Sequence, residues 1–191
     1  MGDSPELAMM GNTSLDFYFK DQHQRMDMKM MNGLMRVQTF VQLNQLTSSA
    51  ILMDMMGQKY HITELEEKDL DESNNFMNMN NVKTISYNKK DKKVIANYPC
   101  YLAVITTKDD QTHKYYITER IKPPTGLKQK TDILLKGYPL EMIIPNDEFG
   151  NMIFTATSVS AEVTGKDFKI PDGYKQITMA EFEKEMNPSG K

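Results

Sequence analysis

Residues 25–30 read Arg-Met-Asp-Met-Lys-Met, an unbroken alternation of charged and apolar side chains. Successive side chains of an extended chain point to opposite sides, so a strand here puts Met26, Met28 and Met30 on one face and Arg25, Asp27 and Lys29 on the other. A helix, at about 3.6 residues per turn, turns Met28 roughly half a turn away from Met26 and Met30 and scatters the sulfurs. The segment is therefore a strand of a sheet with one apolar face, despite methionine's helix preference. Seventeen methionines and no tryptophan make this face unusual in composition.

The same two-residue period recurs along the chain. Leu15–Phe19 precedes the methionine strand, with Lys20–Gln24 as the turn; Leu34–Gln42, Ser49–Asp54 and Lys59–Thr63 follow as strands. Asn32-Gly33 and Met56-Gly57 supply the positive φ that tight hairpins need. Val82–Tyr87 and Lys92–Ala96 flank Asn88-Lys89-Lys90-Asp91, read as a hairpin tip. Pro99–Thr107 and Thr112–Glu119 flank Lys108–Gln111, and Leu140–Ile144 and Met152–Val163 flank Asn146–Gly150. About ten strands joined by short polar turns predict a mainly β fold, an antiparallel meander with a C-terminal helix packed on it.

That helix is signalled by Thr178 and Glu181, which make a capping box, with Ile177 stapling onto Phe182. Met179, Phe182 and Met186 form its apolar stripe. Glu64–Ser73 is an acidic helix start followed by an asparagine-rich loop, and Lys122–Leu135, opened by Pro123-Pro124, is irregular. There is no internal repeat and no linker, so the expectation is one β-rich domain over 14–186, a weakly structured 1–13 and a frayed 187–191.

A chain of 191 residues is long enough for a real core. A net charge of −3 argues against a general nucleic-acid binder. No run reaches the roughly 18 apolar residues of a membrane-spanning helix. One cysteine, Cys100, excludes an internal disulfide and a multi-cysteine zinc site, and reads as a small buried hydrophobe. His23, His61 and His113 are scattered, without metal-ligand spacing, and read as turn or sheet-surface residues. No Walker A, G-x-S-x-G or G-x-G-x-x-G pattern occurs, so no enzyme is expected and no cofactor is assigned. The acidic run at 66–72 lacks the glycine-centred spacing of a calcium loop, and Lys89–Lys93 reads as a solvated hairpin tip.

The methionines admit three readings. Flexible apolar filling is the commonest use of the residue. A methionine-lined surface also adapts to an apolar ligand or acyl chain of variable shape. Thirdly, thioethers are soft ligands for Cu(I), and Met26/Met28/Met30/Met31 with Met53/Met55/Met56 are dense, although His23 is the sole nearby co-ligand of the kind copper usually recruits.

Three phrases then carry a resemblance. Ile95-Ala96-Asn97-Tyr98-Pro99-Cys100-Tyr101, Lys136-Gly137-Tyr138-Pro139-Leu140-Glu141 and Phe168-Lys169-Ile170-Pro171-Asp172-Gly173-Tyr174 resemble, in order and spacing, signatures of a family of exported bacterial proteins known as a domain of unknown function. Asn97 stands where that family has glycine. The family is similar to the periplasmic lipoprotein-carrier (LolA/LppX-like) superfamily. The resemblance implies a single curved antiparallel sheet or half-barrel of about ten strands with an apolar concave side, export after leader cleavage, hence a periplasmic or extracellular location, and binding of a lipid, an acyl chain or a lipid-modified protein.

The combined expectation is a non-enzymatic extracytoplasmic binding module for a hydrophobic ligand. Strand alternation supplies its candidate lining: Phe17, Phe19, Met26, Met28, Met30, Val37, Met53 and Met142. The alternatives are a soft-metal (copper) protein and an interaction module whose apolar face is full. A void of several hundred cubic ångströms lined by these residues separates the carrier from the filled module.

Overall fold

The structure is a computed structural model that describes residues 13–55, 57–66, 69–70, 81–122, 135–146 and 150–186. The alternating segments form β1 (Ser14–Lys20), β2 (His23–Met30), β3 (Met35–Gln42), β4 (Ala50–Met55), β5 (Gln58–Thr63), β6 (Val82–Ile95), β7 (Tyr98–Thr107), β8 (Thr112–Thr118), β9 (Tyr138–Asn146), β10 (Gly150–Thr155) and β11 (Lys175–Thr178), followed by the C-terminal helix α1 (Met179–Met186). The mainly β class with a C-terminal helix is as predicted. No helix among the described residues is long and apolar enough to cross a membrane.

The strands divide between two open sheets rather than forming one. The first runs β1-β2-β3-β4-β5-β11 and the second β10-β9-β8-β7-β6. The chain's contacts follow the same division, into one unit of residues 1–76 with 163–191 and another of residues 77–162. The first boundary falls in the asparagine-rich stretch, which lies outside the described residues.

In the first unit every neighbouring pair is antiparallel except β5–β11, which is parallel. The sequence carries no signal for β11, in which Ile177 and Thr178 read only as the staple and cap of the helix. The β1–β2 turn is narrower than expected: Asp21, at φ 53, makes it with Gln22, while His23 and Gln24 already belong to β2. Thr178 caps α1 by the predicted box, its Oγ1 accepting from the Glu181 amide at 3.2 Å while the Glu181 carboxylate accepts from the Thr178 amide at 2.9 Å. Met179 and Phe182 pack with Ile177, Val37, Ile51, Tyr60 and Ile62, and the Phe182 ring meets Tyr60 edge-on at 5.5 Å. Met186, the third residue of the expected stripe, is 39% exposed.

The opposite face of this sheet is covered too. Phe40, Ala50 and Leu52 are buried there, with Tyr174 packed on them. Phe168 lies 5.5 Å from His23, and the Asp167 carbonyl accepts from Arg25 at 2.8 Å. The segment from Val163 to Tyr174 thus crosses the charged side of β1–β4. The sequence predicts a strand over Met152–Val163, but β10 stops at Thr155, although Val159, Ala161 and Val163 keep the two-residue period beyond it.

In the second unit β6 is a single strand of 14 residues, so the hairpin expected at 88–91 is not there. Asn88 pairs with Leu102 and Lys92 with Tyr101, leaving residues 89–91 as a bulge in an otherwise continuous ladder. The turn comes instead at Ala96 (φ 47) and Asn97 (φ 66), two consecutive left-handed residues that close the β6–β7 hairpin. Gly137 is required by close approach: a Cβ there meets the Thr118 carbonyl oxygen at 2.7 Å. Buried Ile95, Cys100, Leu102, Tyr116 and Leu140 form one core cluster of this unit. His113, expected at a surface, is buried instead, 5% exposed.

A methionine face on the first sheet

Cross-strand register decides which side chains share a face. Phe17 pairs with Met26 and Leu15 with Met28; Met26 pairs with Thr39, Met28 with Val37 and Met30 with Met35. Thr39 then pairs with Ile51, Val37 with Met53 and Met35 with Met55. Ile51 faces Ile62, Met53 faces Tyr60 and Met55 faces Gln58, and Ile62 faces Ile177 on β11. Directly opposed residues lie on the same side of a sheet. One face of five adjacent strands therefore carries Leu15, Phe17, Phe19, Met26, Met28, Met30, Met35, Val37, Ile51, Met53, Met55, Tyr60 and Ile62.

Seven of the eight candidate lining residues are on this face, and Met142 is not. It lies on β9 in the other unit, 7% exposed, between Tyr115 and Phe154 in register. Alternation assigns a side of a strand but not the sheet to which the strand belongs. Sequence reasoning missed Met35 and Tyr60, and named Met55 in the soft-metal cluster but not among the lining residues. The signal was present: an Asn32-Gly33 turn closing β2 onto β3 sets Met35 across from Met30.

Coverage is uneven across the face. Met26 and Val37 are buried at 5% and 8% exposure, Met28, Met30, Met35 and Met53 are half-buried against the cluster beneath α1, and Phe17 is 39% exposed. Two open depressions adjoin it. One, of about 420 Å³, is lined by Lys175, Gln176, Ile177, Glu181, Lys184 and Glu185. The other, of about 400 Å³, is lined by Met55, Gln58, Tyr60, Glu185 and Met186. None of the eight predicted residues lines either. Around the second, Glu185 pairs with Lys175, whose ammonium sits 5.8 Å above the Tyr60 ring, and the Tyr60 hydroxyl donates to Gln58 at 2.5 Å.

The far side of the same strands carries a charged cluster. Asp27, 2% exposed, accepts from Arg25 at 2.8 Å and from Arg36 at 2.8 and 2.5 Å. Burial opposes its charge, but the hydrogen bonds from Arg36 and Arg25 outweigh that penalty and hold the carboxyl below its ordinary range. Arg25 lies over the rings of Tyr18 and Phe40, at 4.8 and 5.3 Å. The alternation of charge and methionine is thus a division between two covered faces, not between core and water.

The remaining chemistry-bearing groups do not converge. Cys100 is a free thiol, 2% exposed, and burial raises its pKa, leaving it a poor nucleophile. Burial lowers the pKa of His61 and of His113. The lysine run at 89–93 is tied down in part: Lys93 pairs with Glu141 at 2.6 Å and lies 4.0 Å above the Tyr116 ring, and Lys89 pairs with Glu119 at 3.5 Å. Among the described residues no group of three or more His, Cys, Asp or Glu gathers as a metal site. No protein-family model, curated protein or solved structure matches the chain.

Proposed function

We propose that this chain is a non-enzymatic extracytoplasmic binding module that receives an acyl chain, or the acyl group of a lipid-modified protein, on the methionine face of its first sheet. The register carries this reading: it gathers Phe17, Phe19, Met26, Met28, Met30, Val37 and Met53 on one side of four consecutive strands. The short helix α1, contributing Met179 and Phe182, covers part of that side. Unbranched, polarisable methionine side chains re-pack around flexible hydrocarbon, and each buried CH₂ contributes about 0.8 kcal/mol without polar chemistry. The resemblance to exported lipoprotein carriers points the same way.

A second reading has its own support. Met26 and Val37 are already buried, and the depressions beside the face are not lined by the predicted residues. On that reading the face is filled and the chain is an interaction module with no small ligand. Titration with a fluorescent fatty acid separates the two. Saturable binding that Met28→Glu weakens by about tenfold or more, through an unpaired charge on the apolar face, supports the carrier. Absence of saturable binding by folded protein supports the filled module.

A further inference from the structure

Met30, Met35 and Met55 lie in one cross-strand row on β2, β3 and β4, each directly opposite the next. Direct cross-strand neighbours have Cβ atoms about 4.5–5.5 Å apart, and methionine's three rotatable bonds let such sulfurs turn toward a common point. All three residues are half-buried, so solvent reaches them. Met28 and Met53 stand in the adjacent row on either side of Val37. The open end of the triple borders the depression lined by Met55 and Met186, which brings a further thioether from α1.

We propose that Met30, Met35 and Met55 form a site for a soft monovalent metal ion, Cu(I) or its analogue Ag(I). Thioethers are soft, uncharged donors that select such ions, while harder divalent cations prefer oxygen and nitrogen. Among the described residues no other ligand type is supplied at the row. The next position across from Met55 is Gln58, and the carboxylate at that depression, Glu185, is engaged by Lys175. Met35, which the sequence alone did not single out, is the central member; it joins two clusters that lie more than twenty residues apart in the chain.

The inference does not rest on the acyl-chain reading, since a metal ion is held by sulfur lone pairs and an acyl chain by buried hydrocarbon. Met→Leu substitutions exploit that difference: leucine conserves volume and apolarity and removes sulfur. The test is titration of the full chain with silver nitrate in chloride-free buffer, on the wild type and on Cys100→Ala, which removes the thiol as a competing ligand. Methionine ¹³Cε-methyl NMR signals report the site.

The expected result is one saturable site in both proteins, with the Met30, Met35 and Met55 methyl signals shifting together. Met35→Leu should weaken silver binding by about tenfold or more while the urea midpoint stays at its wild-type value, since leucine conserves volume and apolarity. Affinity should persist from about pH 7 to pH 5, because thioethers carry no proton to lose, unlike imidazole or thiol ligands. Loss of binding in Cys100→Ala, loss at the lower pH, unmoved signals from the three methionines, or full affinity in Met35→Leu each overturns the proposal.

Discussion

Arg36 clamps the Asp27 carboxylate through two hydrogen bonds, Nε to Oδ1 at 2.8 Å and Nη2 to Oδ2 at 2.5 Å, in a strand whose other face is lined with methionine. Arg25 closes the cluster from the same strand and reaches on to the Asp167 carbonyl at 2.8 Å. The aspartate therefore links three points: β2, β3 and the chain segment that crosses them. A buried charge with such partners is costly to disturb from one side.

Asp27→Asn keeps the shape and removes the charge, leaving the Arg25 guanidinium, 14% exposed, without its counter-ion. The variant should lose about 2–4 kcal/mol of stability, measured as a shift of the urea midpoint at neutral pH. A variant as stable as the wild type contradicts the cluster's structural role.

The pH dependence follows from the signs of the shifts. Burial places the folded pKa of His61 and His113 below the ordinary 6.5, so the unfolded chain takes up protons first. Stability should hold above that pH and decline as the pH falls through it. The Asp27 carboxyl is depressed below 3.8, so its contribution is present above that value and disappears as the pH falls through the folded pKa. Urea midpoints measured across this range should show both declines, and Asp27→Asn should show a smaller acidic one, the remainder coming from Asp109, Glu119, Asp167, Glu181 and Glu185, whose carboxyls are also depressed. A rise in stability below pH 6.5 contradicts the assignment.

Gly137→Ala drives a methyl group against the Thr118 carbonyl oxygen, 2.7 Å from the position its Cβ takes. Backbone on both sides limits relaxation, and the expected cost is about 1–3 kcal/mol by thermal or urea unfolding. A neutral substitution means the two segments separate more readily than the structure indicates.

Thr178→Ala removes the hydroxyl that accepts from the Glu181 amide and is itself paired with the Glu181 carboxylate at 3.0 Å. Loss of this cap should cost about 1 kcal/mol and speed amide exchange across α1. Unchanged exchange over Met179–Met186 contradicts the cap as the anchor of the helix.

Much of this arrangement is legible in the sequence because a period of two is a local property. Arg25–Met30 names its own faces, and Thr178 with Glu181 names its own helix start. What is not local was missed. The partition into two sheets depends on pairings across tens of residues, so Met142 was placed with methionines of a different sheet. Parallel pairing of β11 with β5 leaves no turn signal to read. At β6 the polar run Asn88–Asp91 resembles a hairpin tip, yet the ladder resumes beyond it as a bulge, and Ala96-Asn97, which lacks glycine, makes the turn. The charges of Arg25 and Asp27 marked a solvent face by composition alone, whereas Phe168 and Tyr174, remote in sequence, help to cover it.

Native mass spectrometry of freshly purified full-length chain tests the hydrophobic-ligand account most directly. The account predicts a population carrying a non-covalent acyl-lipid mass, diminished in Met28→Glu while the protein stays folded. A bare polypeptide mass under conditions gentle enough to retain a known lipid–protein complex, with no uptake of added fatty acid, contradicts it.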